Sequence, residues 1–294
     1  HTTLLLCVLK NHPRNWREEI CCKQNTIAKQ RKKIEKRKRR SSEGVLHIVK
    51  MRVLPTMVLK KPPSNPKAFL FDIDGTLCDS DPVHFECFQE LIKEVPSVKN
   101  PSRKPIDHDF FRKHIAGGSN PIIFNNLYPD LSEEERERMW TEKEKEYRRR
   151  AITSLRRLNG LSELMSQIDA EKIPKIAVTN APRENADMML KALQLDVWFK
   201  ELVVLGGECE HAKPHPQPYI DGLRLLGLDP IEDAKDCIVF EDSLSGATAA
   251  VAAGCFVVGV MTSQKAEHLL EVGVHMTVKD FEEFNSKRRE YKSR

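Results

Sequence analysis

The amino-acid sequence predicts an α/β fold in which a doubly wound parallel sheet carries an inserted, all-helical domain. Short apolar runs rich in Val, Ile and Phe recur from residue 67 onward, and segments with helical periodicity separate several of them. One long interval contains helical segments without a clear strand. Alternation of buried strands with helices is typical of parallel sheets with right-handed crossovers.

Five apolar runs are short enough and uniform enough to be strands buried on both faces. They are Ala68–Phe71, Ile176–Val178, Leu202–Leu205, Cys237–Phe240 and Phe256–Val260. In sheets of this kind, ligands bind at the carboxyl ends of the strands. The residues that follow each run are therefore the candidates for a functional site.

Two segments between the runs have the spacing of amphipathic helices. In Glu184–Leu195 the apolar residues recur at positions i, i+3, i+4 and i+7, and Gln217–Leu228 repeats this pattern after Pro216. A proline near the first turn is compatible with the start of a helix.

The interval from residue 82 to residue 158 breaks the alternation. We predict helices over Val83–Glu94, Asp107–Ile115 and Leu131–Arg150, the last opened by Ser132 with acidic residues in its first turn. The predicted division of the chain is a basic extension of residues 1–66, a core of residues 67–81 and 159–286, and a helical cap of residues 82–158.

Charge is distributed unevenly along the chain. Residues 1–66 contain 17 Lys and Arg against 4 Asp and Glu, whereas the remaining residues contain 31 against 39. The run Lys29–Arg40 could be a nuclear-localisation or nucleic-acid patch, but we favour a solvated, disordered tail. The acidic balance after residue 66 argues against nucleic-acid binding by the folded part.

Several features bear on the compartment. No apolar run reaches 18 residues, so no membrane helix is predicted. The eight cysteines form no C-x-x-C pair, which favours buried thiols in a reducing compartment. Acidic residues such as Glu18 and Glu35 weaken a transit-peptide interpretation of the extension, and Met51 or Met57 could be the true initiator. We expect a cytoplasmic protein, with plastid or nucleus as alternatives if the extension is real.

Acidic residues follow two of the predicted strands. Asp72 and Asp74 come directly after the first run and precede a Gly-Thr turn, where two positions apart they can point to one side of the sheet edge. Glu241 and Asp242 follow the fourth run, and hard oxygen ligands of this kind suit Mg²⁺. The alternatives are a turn for the first pair and capping of the next helix for the second.

Polar residues also follow the second run and precede the Gln217 helix. The Thr179 hydroxyl and the Asn180 backbone N–H can hold a phosphoryl oxygen, or these residues can cap the next helix. Lys213 lies in a loop stiffened by prolines and can place its ammonium beside a phosphate, although an exposed lysine is the ordinary case.

Four motifs in this order resemble the haloacid dehalogenase (HAD) superfamily. They read FDIDGTLCDSDPVH, VTNAPRENA, KPHPQPY and VFEDSLSGATAAVAAG, and the likeness spans about residues 67–280. Within the superfamily the chain is most similar to the helical-cap group that contains β-phosphoglucomutase and small sugar-phosphate phosphatases. The resemblance implies a Rossmann-like core, a mobile helical cap and Mg²⁺-dependent phosphoryl transfer.

The resemblance also implies roles for individual residues. Asp72 would attack phosphorus to form an aspartyl-phosphate, and Asp74 would act as the general acid and base. One pKa of this carboxylate pair should be raised. Thr179, Asn180 and Lys213 would bind the phosphoryl oxygens. The implied metal ligands are Asp72, the backbone carbonyl of Asp74, Asp242 and, directly or through water, Glu241.

The cap is the part in which the resemblance is weakest. The loop His114–Asn120 resembles the family's cap loop but lacks the Lys or Arg expected near Gly118. Lys143 could supply a cap cation, although on so charged a helix we expect a surface lysine. His84 could reach substrate or lie on the helix surface or in the core.

Three functions are compatible with the sequence. The leading one is a monomeric phosphatase of small phosphorylated metabolites, such as sugar or polyol phosphates. The second is a phosphomutase, which the missing cap cation disfavours because a mutase must bind a second phosphate. The third is a non-catalytic nucleic-acid or nuclear interaction protein that works through Lys29–Arg40.

Overall fold

Six parallel strands form one sheet in the order β3-β2-β1-β4-β5-β6 in the computed structural model, which describes residues 60–292. The strands are β1 (Ala68–Phe71), β2 (Lys175–Thr179), β3 (Val203–Leu205), β4 (Cys237–Glu241), β5 (Phe256–Val260) and β6 (Met276–Val278). The chain extends the sheet in one direction from β1 to β3 and in the other from β4 to β6. The doubly wound, Rossmann-like fold is thereby confirmed, and its topological switch point lies between β1 and β4.

The five predicted strands are all present, with ends that agree to within one residue. The sixth strand, Met276–Val278, was not predicted because it is short and the polar Thr277 interrupts its apolar residues. The charged run Lys29–Arg40 and the predicted extension before residue 60 lie outside the described residues.

Side chains alternate between the two faces of the sheet, as the pleat requires. Phe71 packs on one face against Phe240, with ring centroids 5.2 Å apart, while Leu70 and Val239 belong to the core on the other face. Helices cover both faces: Leu161–Ala170, Arg183–Ala192, Asp196–Phe199, Gln217–Leu225, Leu244–Ala252, Ala266–Glu271 and Phe281–Lys292.

Four helices lie between β1 and the helix that precedes β2, and we call them the cap: Asp81–Glu94, His108–His114, Asn120–Leu127 and Glu133–Ser154. They bury an aromatic core of their own, which includes Phe88, Phe111 and Phe124. The helix Asn120–Leu127 was missed because its glycine-rich approach resembles a loop, although Pro121 in the first turn is compatible with a helix start.

The longest helix, Glu133–Ser154, joins the cap to the core, and we call it the long cap helix. As predicted, it begins after Ser132, which forms a capping box with Glu135. Its C-terminal half packs on the core, where the Tyr147 hydroxyl donates to Sδ of Met189 over 3.2 Å. This helix can therefore carry cap side chains directly to the end of the sheet.

Two further sequence predictions concern cysteines and membranes. The cysteines within residues 60–292 are free thiols, and Cys78, Cys87, Cys237 and Cys255 are buried. Among the helices that the structure describes, none has the length and apolar character needed to cross a membrane.

Candidate active site

The end of β1 places Asp72 at the switch point of the sheet. Its backbone N–H donates to the carbonyl of Phe240 over 3.0 Å, which extends the pairing of β1 with β4 by one residue. The chain then turns at Gly75, whose φ of +83° favours glycine. A Cβ at Gly75 would collide with Oδ2 of Asp242. Only a residue without a side chain therefore fits between the turn and this carboxylate.

Lys213 reaches the same point from the loop between β3 and β4. Its ammonium lies 2.7 Å from Oδ1 of Asp72, 2.6 Å from Oε1 of Glu241 and 2.8 Å from the carbonyl oxygen of Val178. The side chain is buried. The exposed-lysine interpretation is therefore wrong, because three acceptors hold the ammonium at the ends of β1, β2 and β4.

Asn180 fixes the loop that carries this lysine. Its side-chain amide donates to the backbone carbonyl of Lys213 over 3.0 Å and accepts from the backbone N–H of Lys213 over 3.2 Å. Thr179 is buried, and its Oγ1 accepts from the N–H of Ala181. Pro182 occupies the N-cap of the next helix, so the capping interpretation of Thr179 and Asn180 is wrong.

Asp72, Glu241 and Asp242 form a compact carboxylate cluster. One oxygen of each lies within 4.8 Å of the others, and all three side chains are buried. Asp242 accepts from Thr76 Oγ1 over 3.1 Å and from Ser263 Oγ over 2.5 Å. The two acids do not cap the following helix, because Ser243 does so by accepting from the N–H of Gly246.

Burial sets the proton affinity of this cluster. It raises the pKa of Asp72 to about 7; Lys213 opposes the rise and Glu241 adds to it. The pKa of Asp242 is raised well above its usual range by burial and by repulsion from Asp72 and Glu241. A divalent cation among these oxygens would remove the repulsion and favour the ionised forms.

Asp74 lies beside the cluster in a different environment. Its carboxylate accepts from the hydroxyl of Ser80 and lies 3.0 Å from Nε2 of His84. Burial alone would raise its pKa, but His84, Ser80 and Lys143 together lower it. Of the two carboxylates after β1, the raised pKa thus belongs to Asp72 rather than to the predicted general acid.

The cap contributes its own polar side chains to the site. The His84 ring stacks on Tyr147 with centroids 3.9 Å apart, and its Nδ1 lies 3.4 Å from the Lys143 ammonium. Lys143 is only 6% exposed, so the prediction of a surface lysine is wrong. Its position four residues after Met139 and four before Tyr147 places it on the buried stripe of the helix, a signal that could have identified it.

One cavity joins these groups. It encloses about 110 Å³ and is lined on the core side by Asp72, Asp74, Thr179, Asn180, Lys213 and Asp242, and on the cap side by His84, Asn120, Lys143 and Glu144. The residues predicted from four separate motifs therefore meet at this cavity, with the exception of Glu241. Glu241 does not line the cavity; it contacts Lys213 and accepts from the Tyr219 hydroxyl over 2.6 Å. Glu144 and Asn120 were not predicted.

The sequence model of a hydrolase family, the haloacid dehalogenase-like hydrolases, matches residues 66–254. The chain belongs to this family. The resemblance drawn from the four motifs is confirmed, and with it the enzyme class, since phosphatases recur among the family's curated members that the chain matches. This HAD-like chain is an enzyme of the phosphatase type.

Two curated relatives and two solved structures illustrate the likeness. The chain is 29% identical to a phosphorylated carbohydrates phosphatase of Thermotoga maritima over 74% of this chain and 97% of the relative. It is 27% identical to glycerol-1-phosphate phosphohydrolase 2 of Saccharomyces cerevisiae, over 73% of this chain and 82% of the relative.

Among solved structures, a family IA HAD hydrolase of Entamoeba histolytica superposes with a TM-score of 0.64 at 25% identity, covering 74% of this chain and 94% of that one. A putative β-phosphoglucomutase of Thermotoga maritima superposes with a TM-score of 0.57 at 27% identity, covering 76% and 99%. The likeness thus extends over both the sheet and the cap.

Proposed function

We propose that this enzyme is a Mg²⁺-dependent phosphatase of small sugar or polyol phosphates that works through an aspartyl-phosphate on Asp72. The observation that carries the proposal is the meeting of Asp72, Lys213 and Asp242 at one cavity, with Lys213 Nζ 2.7 Å from the Asp72 carboxylate. The relatives named for carbohydrate, glycerol and hexitol phosphates support the substrate class.

The donor set fits magnesium. Buried carboxylates with raised proton affinity need a cation to remain ionised together, and oxygen ligands are those that Mg²⁺ prefers. Asp72 and Asp242 would hold the ion with the backbone carbonyl of Asp74, and Glu241 would act directly or through water. When bound, the ion supplies positive charge that offsets the repulsion between the Asp72 carboxylate and a phosphate.

The chain's own residues would then divide the reaction into two steps. An oxygen of Asp72 forms a bond to phosphorus as the bond to the leaving alcohol breaks, and Asp74 donates a proton to that alcohol oxygen. In the second step the water oxygen bonds to phosphorus as the bond to Asp72 breaks, Asp74 takes a proton from this water, and inorganic phosphate leaves. Thr179, the Asn180 N–H and Lys213 hold the phosphoryl oxygens throughout.

A phosphomutase is the second candidate, and the likeness to solved β-phosphoglucomutases favours it. It would use the same nucleophile but return the phosphoryl group to the substrate. Incubation with a sugar monophosphate and Mg²⁺ separates the two functions, because a phosphatase releases inorganic phosphate whereas a mutase forms an isomer without release.

The deciding experiment is a panel of phosphorylated metabolites, assayed with wild type and Asp72→Asn in parallel with Mg²⁺ or EDTA. We expect phosphate release by wild type with Mg²⁺ only, and none by the variant. Substantial turnover by Asp72→Asn would rule out the covalent mechanism.

A role for the basic extension is tested separately. A protein that lacks residues 1–60 should retain full phosphatase activity. Strong, salt-sensitive nucleic-acid binding by the full chain alone would support the interaction function instead. The expected monomeric state and cytoplasmic location stay predictions.

A further inference from the structure

A buried ion pair lies on the cap side of the cavity. The Lys143 ammonium lies 2.6 Å from Oε1 of Glu144, and these side chains are 3% and 7% exposed. The two residues are neighbours in the long cap helix, and both line the cavity that contains Asp72. The positive charge of Lys143, which faces the cavity from the cap, is therefore already paired with the negative charge of Glu144.

Glu144 is held in place by donors from the cap and from the core. Its Oε1 also accepts from the Asn120 amide over 2.8 Å, and its Oε2 accepts from the Asn185 amide over 2.6 Å. Although burial raises the pKa of Glu144, Lys143, His84 and Asn120 together lower it. The carboxylate is therefore ionised at neutral pH and cancels the charge of Lys143.

A chain of contacts connects this pair to the reacting end of the cavity. Asp74 lies 3.0 Å from Nε2 of His84, and Nδ1 of the same ring lies 3.4 Å from the Lys143 ammonium. Asp74 is the proposed donor to the leaving oxygen. The remainder of the leaving group must then extend past Asp74 into the half of the cavity lined by Lys143 and Glu144.

Each basic side chain that lines the cavity, among the described residues, is paired with a carboxylate, and His84 lies 3.0 Å from Asp74. Among the described residues that line it, the lysines are Lys143 and Lys213, each in contact with a carboxylate, and no arginine contributes. Arg148, one turn beyond Glu144, is bound instead to Glu184 and to Asn185. A second anionic group on the substrate would meet Glu144 without a free positive charge to pair with.

We infer that Glu144 is a specificity-determining residue that selects a leaving group with neutral hydroxyls and rejects one with a second anionic group. The inference rests on the proposed phosphatase function. Glu144 and Asn120 supply acceptors and donors for hydroxyls, while cancellation of the Lys143 charge removes the attraction for a carboxylate or a second phosphate.

Two pairs of substrates that differ only in one terminal group test the inference. Glycerol 3-phosphate and 3-phosphoglycerate differ by a hydroxymethyl group against a carboxylate, and so do sorbitol 6-phosphate and 6-phosphogluconate. For each pair the ratio of kcat/KM, neutral substrate over acidic substrate, is measured for wild type, Glu144→Gln and Ser119→Lys. Glu142→Gln is the matched control, because Glu142 lies on the same helix and forms an ion pair with the exposed Lys145.

We expect wild type to favour the neutral substrate and Glu144→Gln to lower the ratio about tenfold, as removal of one charge from a partly solvated pocket should do. Ser119→Lys adds a cation at the cavity rim and should lower the ratio without removing a contact of Glu144, so it decides the matter if Glu144→Gln does not fold. Glu142→Gln should remain within about twofold of wild type.

A wild-type preference for the acidic substrates, or ratios within about twofold of wild type in both Glu144→Gln and Ser119→Lys, would overturn the inference. Failure of the proposed function looks different. In that case no substrate of either pair would release phosphate in the presence of Mg²⁺, and no ratio could be formed.

Discussion

Lys213 and Asp72 form an ion pair of 2.7 Å, with side chains 3% and 9% exposed, although 140 residues separate them in the chain. The same ammonium lies 2.6 Å from Glu241, so one lysine serves two buried carboxylates. Burial would lower the pKa of Lys213, but Asp72 and Glu241 raise it overall. The lysine therefore stabilises the folded chain as well as the proposed phosphoryl site.

Replacement of this lysine should affect both properties. Lys213→Met leaves Asp72 and Glu241 buried without their cation, and we expect a loss of about 3 kcal/mol in the free energy of unfolding. We expect kcat to fall about 100-fold or more. Denaturant unfolding and phosphate release measure the two effects. Lys145→Met, an exposed lysine on the cap, should change stability by less than about 1 kcal/mol, and an equal effect in both variants would contradict the prediction.

The stability of the metal-free protein should depend on pH through Asp72. Its pKa is about 7 in the folded chain against 3.8 ordinarily, so the folded state binds the proton more tightly than the unfolded state. The contribution of Asp72 to stability should therefore decrease as pH rises from about 4 to about 7, by a few kcal/mol at ~1.4 kcal/mol per pKa unit, and then level off.

Melting temperatures at pH 5, 6, 7 and 8, in EDTA and in Mg²⁺, measure this dependence. Mg²⁺ should raise the melting temperature most at the higher pH values, where the carboxylates are ionised. Asp72→Asn in EDTA should have a smaller slope than wild type, although Asp242, whose pKa is also raised, still contributes to it. A wild-type slope that survives in this variant would assign the effect to another group.

Gly75 should be required for the position of Asp242. Gly75→Ala combines an unfavourable φ of +83° with a collision between the new Cβ and Oδ2 of Asp242. Gly227→Ala is the matched control, because φ is +75° but no atom lies within 4 Å of the new Cβ. Gly227→Ala should lose about 1 kcal/mol of stability, and Gly75→Ala should lose more because of the added collision. Only Gly75→Ala should need a higher Mg²⁺ concentration for half-maximal activity, because only its new Cβ displaces Asp242. Equal Mg²⁺ requirements in the two variants would contradict the prediction that Gly75 positions Asp242.

His84 should lower the pKa of Asp74. Among the groups that lower the pKa of Asp74, His84 contributes most, and it lies 3.0 Å from the carboxylate. His84→Asn should raise the pKa of Asp74 and shift the basic limb of the kcat profile to higher pH, because the general acid then remains protonated further. A profile that falls in height without moving along the pH axis would indicate a purely structural role.

Much of the fold and of the core side of the site could be predicted because the signals are local. A buried strand is visible as an apolar run, and in a parallel sheet its next residues lie at the edge where ligands bind. Asp72, Thr179, Asp242 and the loop of Lys213 were identified in this way, and the structure brings them to one cavity. The short strand Met276–Val278 and the helix after Ser119 lacked a periodic signal of sufficient length.

By itself, then, the sequence determined the doubly wound sheet, the inserted helices and the polar side chains that gather at the strand ends. Only the tertiary structure decided the pairing of Lys143 with Glu144 and the contact of Glu144 with Asn185. These contacts depend on how the long cap helix packs against Asn120 and Asn185, which are distant from it in sequence. The directions of the pKa shifts at Asp72 and Asp74 were likewise decided by partners distant in sequence.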